Sequence, residues 1–378
     1  MKLDAETRKR RLAGWLVNKV EGARDVEITS WSTSPTGQSN ETIFFDARWI
    51  GDGVRREERL VLRMPAVDYQ LFLDADVLLQ WRMMEALARH PTVPVPPLRW
   101  LETDAAVLGA PFFLMARVEG RVPPDIAAHQ PDNYVIELAP NERAQLCRNG
   151  LEVMARLHGI DWRPDFAFLD QPRRGRAGLD QYLSWVEDWY AWSAHGRSFP
   201  IIEAGLRHLR KNQPVEPEVR VVWGDARLGN MILAEDHSVR AVLDWEMAAL
   251  GPPEVDLGWW IVWEHIWTVE SGVDALEGIL SRVVTLAAYE RLLGRPIESF
   301  EYYEVLAAVR AALIFLRGID KRIEFGVMPP TTRLGADNVA SRFLARRLGL
   351  PLPEVGDDIK TAAAEVGKRT NPALQGDR

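Results

Sequence analysis

The order of elements along the chain predicts an α+β fold in two lobes: a small sheet-based N-terminal lobe and a larger, mostly helical C-terminal one. Three observations carry this. Strand-like runs crowd the first 120 residues around one long helix, helical periodicity dominates after them, and 378 residues exceed what a single compact core usually holds. Residues 5–20 place Leu12, Trp15, Leu16 and Val20 at helical spacing. Strand-like runs follow at 26–31, 42–49 and 59–64. The first two are separated by the turn-rich Ser-Thr-Ser-Pro-Thr-Gly-Gln-Ser-Asn, the second and third by Gly51-Asp52-Gly53, a hairpin signal. A helix is expected at 74–89, stopped by His90-Pro91, and two more strands at 99–102 and 112–118.

Past Glu119-Gly120-Arg121-Val122-Pro123-Pro124 the pattern turns helical, which sets the lobe boundary near residue 120. The expected division is 1–120, 121–351 and a polar tail at 352–378. Helices are expected at 141–158, 177–194, 199–212, 254–267, 272–293 and 300–317, with short strands at 219–223, 231–233 and 239–243. No internal repeat is visible.

Composition narrows the function. The chain carries 46 Lys plus Arg against 54 Asp plus Glu, a net charge of −8. A net acidic chain without a basic aromatic stripe argues against nucleic acid as a partner. Its single Cys excludes an intramolecular disulfide and a multi-Cys metal site, and fits a reducing, cytoplasmic setting. The longest apolar stretch, 105–116, is too short to span a bilayer. The first twenty residues lack an unbroken apolar segment, so no secretory leader is expected. The acidity is uneven: residues 1–120 hold 16 basic and 17 acidic side chains, the remainder 30 and 37. Nine of the 15 Trp fall between Trp185 and Trp267.

The densest chemical signal is Val221-Val222-Trp223-Gly224-Asp225-Ala226-Arg227-Leu228-Gly229-Asn230-Met231-Ile232-Leu233. An apolar strand runs into a polar loop with an Asp, and an Asn follows five residues later. A further strand ends in Asp244-Trp245-Glu246. Asp225, Asn230 and Asp244 thus stand at strand ends with apolar flanks. Oxygen ligands of this kind suit a hard cation such as Mg²⁺, and a remaining carboxylate can orient a hydroxyl and take its proton.

This segment resembles the catalytic and metal-binding segments of the aminoglycoside phosphotransferase and choline kinase group, relatives of protein kinases. That group carries His-Gly-Asp, four residues, Asn, and an Asp about fourteen residues on; here Asn230 and Asp244 are fourteen apart. Leu250-Gly251-Pro252-Pro253-Glu254-Val255-Asp256-Leu257 is similar to the group's next signature. The likeness covers about residues 26–320. It is strongest toward the branch related to domains fused to acyl-CoA dehydrogenases, where the third strand reads Val-Leu-Arg and the last motif Asp-Trp-Glu.

The resemblance implies a bilobal protein-kinase-like fold and an ATP- and Mg²⁺-dependent phosphotransferase acting on a hydroxyl of a small molecule. It implies Asp225 as catalytic base, with Asn230 and Asp244 as Mg²⁺ ligands. Residues 35–41 become a nucleotide-covering loop, with Gly37, Ser39 and Asn40 at the phosphates. Residues 114–118, with Met115 and Arg117, become the inter-lobe hinge beside the adenine. Three departures stand out. The loop His is Trp223, the strand-three Lys is Arg63, and the helix Glu expected to pair with that Lys aligns best with Gln80, with Glu85 five residues on as the second candidate. Arg keeps the charge but not the shape of an ammonium, and Arg63 with Gln80 would make a hydrogen bond instead of an ion pair.

Some residues have blander readings. Asp256 reads as an anchor of the catalytic loop, His158 as a satisfied core histidine, Cys147 as a small buried hydrophobe. The basic runs at 8–11 and 173–176 read as a solvated helix face and a loop. Trp185, Trp189 and Trp192 lie on one helix face; two adjacent residues, Trp259 and Trp260, cannot share one narrow stripe, so most Trp are expected in the core and a minority at the acceptor. For that acceptor the Trp enrichment favours a compound with apolar surface, such as a hydroxyacyl thioester, and the acidity an aminoglycoside. The alternative class is a nucleotide-binding regulatory module without transfer.

Overall fold

The computed structural model describes residues 3–34, 39–66, 68–74, 76–124, 133–216, 218–352 and 354. Gly37 and most of the tail lie outside these. The chain divides into two compact units, residues 1–119 and 120–378.

The N-terminal unit opens with helix α1 (Ala5–Lys19), capped by Asp4, whose side chain accepts from the Thr7 N–H. A five-stranded antiparallel sheet follows, β1 (Arg24–Thr33), β2 (Asn40–Gly51), β3 (Val54–Pro65), β4 (Leu98–Glu102) and β5 (Phe112–Ala116), in the order β1-β2-β3-β5-β4. Alternation sorts its two faces. Ile43, Phe45, Ala47, Leu60, Leu62, Met64, Phe112 and Leu114 form one buried cluster with Leu12, Trp15 and Leu16 of α1. Each apolar side chain so buried contributes about 1.5–3 kcal/mol. Helix α2 (Val77–Leu87) buries Val77, Gln80, Met83, Met84 and Leu87, and its Trp81 ring meets the edge of Phe113. The β2–β3 hairpin turns at Asp52 and Gly53, both at positive φ, as a two-residue loop requires.

Two expectations need correction here. Arg8 is not on a solvated face: it is 6% exposed and ion-paired with Glu41 at the start of β2. Strand β3 begins at Val54, earlier than its apolar residues indicate, because it pairs with β2 residue for residue from Gly51↔Val54 onward while Arg55 to Glu58 point their charges outward.

The second unit runs through the single turn α3 (Tyr134–Glu137), helix α4 (Pro140–His158), the turn α5 (Trp162–Asp165), and helices α6 (Leu179–Ala194) and α7 (Pro200–Lys211). Two small sheets follow, β6 (Arg220–Val222) with β9 (Ala249–Gly251), and β7 (Met231–Leu233) with β8 (Val239–Val242). Helices α8 (Glu254–Trp267), α9 (Arg282–Leu293), α10 (Phe300–Glu324) and α11 (Val339–Arg347) complete it. No described helix is long and apolar enough to cross a membrane.

The expected helix at 272–293 starts ten residues late. Gly272 and Gly278 sit at φ +70° and +94°, a backbone that no helix continues, and Ser281 then caps α9 by accepting from the Val284 N–H. Helix α10 instead runs seven residues past its expected end, and β9 and α11 were not foreseen. Trp259 and Trp260 are both buried: α8 is enclosed on every side from Glu254 to Val262, so no narrow stripe limits it.

Candidate active site

The apolar strand β6 delivers Trp223, Gly224 and Asp225 into a tight turn. Gly224 has φ +88°, and a Cβ there would stand 2.1 Å from the Met247 carbonyl oxygen, so only glycine fits. Asp256, in the first turn of α8, accepts the backbone N–H of Trp223 at 2.6 Å and of Gly224 at 2.7 Å. His158 Nε2 lies 2.9 Å from the same carboxylate, and its Nδ1 meets the Tyr289 hydroxyl. Burial pushes the Tyr289 hydroxyl far up, so it stays protonated and donates to Nδ1, while Nε2–H donates to Asp256. His158 is thus a satisfied core histidine, and Asp256 fixes the loop by its backbone.

Asp225 is 9% exposed and receives three side-chain donors. Asn230 Nδ2 reaches Oδ2 at 2.7 Å, Trp259 Nε1 reaches Oδ1 at 2.7 Å, and Arg227 Nε is shared between Oδ1 at 3.0 Å and Oδ2 at 3.1 Å. The Arg227 guanidinium also lies over the Trp263 ring at 5.4 Å. Asn230, at the end of a 3₁₀ turn, donates Nδ2 to the Asp225 carbonyl as well. Both bonds turn the amide nitrogen into the loop, which commits Oδ1 to the opposite side.

Asn230 and Asp244 stand at the same end of the β7–β8 pair, because Leu243 N–H bonds the Asn230 carbonyl at 2.8 Å. Asp244 adopts φ +61°, a conformation Asp tolerates better than most residues and one that recurs where a side chain must be aimed. Trp223, which replaces the expected His, donates its indole N–H to the Leu243 carbonyl at 2.8 Å, tying the Asp225 loop to the Asp244 loop. The donor set fits Mg²⁺: one amide oxygen turned outward and one carboxylate, leaving the remaining positions to water and phosphate. No cluster of three His, Cys, Asp or Glu suited to a metal exists among the described residues.

In the N-terminal unit Arg63 donates from Nε to Gln80 Oε1 at 3.3 Å and from its terminal nitrogen to Thr42 Oγ1 at 2.8 Å. Ser39 and Asn40 are buried at the start of β2, with Asn40 Nδ2 3.3 Å from Ser39 Oγ. Met115 is buried in β5. Arg117 extends the pairing of β5 with β3 by donating its N–H to the Arg59 carbonyl, and its guanidinium covers Phe44 at 5.3 Å.

Three residues of the Asp225 cluster escaped the sequence reading. Arg227 stands in the sequence only as a loop residue, and Trp259 only as one of several Trp expected mostly in the core with a minority at the acceptor. Arg310, fully buried in α10, bonds the Gly224 carbonyl and stacks over Trp259 at 4.4 Å. Its one signal is a lone cation inside the apolar run of α10.

An antiparallel sheet unit followed by a helical unit, with an Asp–Asn–Asp constellation at short strand ends, defines a protein-kinase-like phosphotransferase. The chain matches the Phosphotransferase enzyme family over residues 35–318, three quarters of its length, and belongs to it. It is 29% identical over 299 residues to the probable acyl-CoA dehydrogenase IBR3 of Arabidopsis thaliana, covering 74% of this chain and 35% of that one. It is 29% identical over 300 residues to acyl-CoA dehydrogenase family member 10 of Mus musculus, covering 76% and 26%. The chain thus spans about a third or less of these relatives. A 4-hydroxytryptamine kinase of Psilocybe cyanescens is 26% identical over 170 residues, 43% of this chain and 45% of that one. Among solved structures, a candidate aminoglycoside phosphotransferase from Ralstonia eutropha superposes with a TM-score of 0.60 at 25% identity, covering 89% of this chain and 98% of that one. A kanamycin-binding aminoglycoside phosphotransferase, at 0.56 and 12% identity over 90% and 99%, shares the fold.

Proposed function

We propose that the protein transfers the γ-phosphate of ATP to a hydroxyl of a small, partly apolar acceptor, with Asp225 as the base. The observation that supports this best is the joined Asp225–Asn230–Asp244 arrangement. One Asn side chain both orients the carboxylate and turns its own oxygen away from it, and its backbone carbonyl accepts from Leu243, the residue before Asp244. Asn230 Oδ1 and the Asp244 carboxylate would hold Mg²⁺, whose charge neutralises the phosphate oxygens.

Asp225 orients the acceptor hydroxyl and receives its proton. The hydroxyl oxygen forms the new bond to the γ-phosphorus as the bond to the β–γ bridging oxygen breaks and ADP leaves. Arg227, whose contacts to the carboxylate are the longest of the set, yields its place to that hydroxyl. Arg63, steadied by Gln80 and Thr42, anchors phosphate from the N-terminal unit. Gly37, Ser39 and Asn40 belong to the phosphate-covering loop, and Met115 and Arg117 to the edge that meets the base.

For the acceptor, the more exposed side of Asp225 is cationic and aromatic: Arg227, with its guanidinium over the Trp263 ring. That favours an acceptor with apolar or aromatic surface over a polycation. The likeness to a kinase of 4-hydroxytryptamine and to acyl-CoA dehydrogenase family proteins points the same way, toward compounds such as hydroxyacyl thioesters. An ADP-release screen with Mg²⁺-ATP against hydroxyacyl-CoA compounds, amino alcohols and aminoglycosides tests it, with turnover expected in the first group. Asp225→Asn should lower turnover by roughly 10²–10⁴-fold while nucleotide binding persists; full activity in that variant sinks the assignment.

A further inference from the structure

We infer that Trp259 is a positioning residue for the catalytic carboxylate, held in place by the buried cation Arg310. The inference rests on Asp225 being the base. Trp259 is fully buried, and its only polar atom is spent on Asp225 Oδ1 at 2.7 Å. An indole N–H is a donor with no acceptor capacity, so it holds a carboxylate and nothing that competes with it for protons. A core tryptophan at this place in α8 needs no such contact for packing: neighbouring Trp263 buries its indole nitrogen with no hydrogen-bond partner among the described residues.

Arg310 explains why the indole stays where it is. Its guanidinium stacks on the Trp259 face at 4.4 Å and lies 5.5 Å from the Tyr182 ring, while one terminal nitrogen bonds the Gly224 carbonyl. Its Nε and second terminal nitrogen have no hydrogen-bond partner among the described residues, and no described carboxylate lies within ion-pair distance. A buried charge kept without a carboxylate is costly, which argues that its position serves something besides stability. What it touches is the residue before Asp225 on one side and the donor to Asp225 on the other. A cation on one face of the ring favours an anion at its N–H edge.

The arrangement divides the carboxylate's oxygens. Asn230 and Trp259 each hold one from a buried, inflexible position, and Arg227 spans both from the more exposed side. With Trp259 in place the carboxylate keeps its plane when Arg227 departs. Without it, a single fixed donor remains and the carboxylate rotates.

Trp259→Phe keeps the ring and removes the N–H. We expect kcat for ADP release to fall about 10-fold or more, with water as acceptor and with any acceptor the screen identifies, while the KM for ATP stays within error and the melting temperature falls only by what one lost buried hydrogen bond costs. In the Asp225→Asn background Trp259→Phe should cause no further loss, since the residue acts through that carboxylate. The indole N–H proton resonance lost in Trp259→Phe should also move in Asp225→Asn, a readout that needs no acceptor. Arg310→Lys should retain more of kcat than Arg310→Met. A Trp259→Phe enzyme with unchanged kcat overturns the inference and leaves Asp225 as base. So does one in which the KM for ATP shifts along with kcat, or an indole resonance indifferent to Asp225→Asn. Full activity in Asp225→Asn alone removes the underlying assignment instead.

Discussion

The two units hold their candidate phosphate-handling residues by opposite means. In the second unit, carboxylates are saturated with donors: Asp256 takes two backbone N–H groups and His158, and Asp225 takes Asn230, Arg227 and Trp259. In the first, the cation Arg63 donates two of its hydrogen bonds to neutral acceptors, Gln80 and Thr42. Saturated buried carboxylates are rigid but intolerant of loss, because every donor left behind is stranded. A hydrogen bond from a cation to a neutral side chain lacks the pairing of opposite charges and tolerates change better. The difference predicts steep mutational effects in one region and shallow ones in the other.

After Asp225→Asn itself, the largest effect is expected at Asp244. If Asp244 holds Mg²⁺ as proposed, Asp244→Asn removes the charge of that ligand and should cost roughly 10²-fold or more in kcat at fixed Mg²⁺. Raised Mg²⁺ should recover part of it, and a magnesium titration of ADP release is the check. A variant with wild-type magnesium dependence would break the metal side of the comparison.

Gly224→Ala comes next. The added Cβ meets the Met247 carbonyl oxygen and forces a left-handed backbone on a non-glycine residue. A loss of about 3–5 kcal/mol is expected in chemical unfolding. A smaller loss shows that the loop gives way more readily than the Asp256 anchoring implies.

These two residues also show how far the sequence carried the reading. Asp225, Asn230 and Asp244 were legible as candidates because strand–loop–strand patterning and their spacing are both local, and the two-lobe fold followed from the order of periodicities. Asp256 and His158 were legible as structural. Trp259 and Arg310 were not, since their contacts join α8 and α10 to a loop at 34 and 86 residues' separation, and no pattern in either helix records which side chain ends at that loop. Arg8 was misread for a related reason: helical charge runs look solvated until a partner such as Glu41 arrives from a distant strand. The late start of α9 hinged on two glycines whose φ only the fold decides.

Glu264 extends the comparison within the second unit. It lies on α8 near Asp225's donor Trp259, yet no described hydrogen bond or ion pair reaches its carboxylate, and burial alone raises its pKa from 4.5 to about 7. Below pH 4.5 it is protonated in both the folded and the unfolded chain. Between 4.5 and about 7 the unfolded chain releases the proton and the folded one keeps it, so stability falls as pH rises, by at most about 3 kcal/mol above 7. Partial exposure reduces that figure. Glu264→Gln lacks this loss. Its melting temperature should gain on the wild type between pH 5 and pH 8, and an equal gap at both pH values would show that the carboxylate is not isolated.

The smallest effect is expected at Gln80, where the comparison is most easily broken. Gln80 is 3% exposed; its Oε1 accepts from Arg63 and its Nε2 has no hydrogen-bond partner among the described residues. Gln80→Glu therefore replaces an idle donor with an oxygen and strands nothing. The new charge lies against Arg63, so its desolvation is offset by attraction across a short distance, and buried pairs of this kind come out near even. Stability should stay within about 1 kcal/mol, and the KM for ATP, which reads Arg63 directly, within about 3-fold. Gln80→Leu is the contrast, since it removes the Nε acceptor and should cost about 1–3 kcal/mol. Nucleotide titrations and thermal unfolding of both variants decide the matter. If Gln80→Glu fails as sharply as Asp244→Asn, then Arg63 is held by geometry as strict as that around Asp225, and neutral partners confer no tolerance.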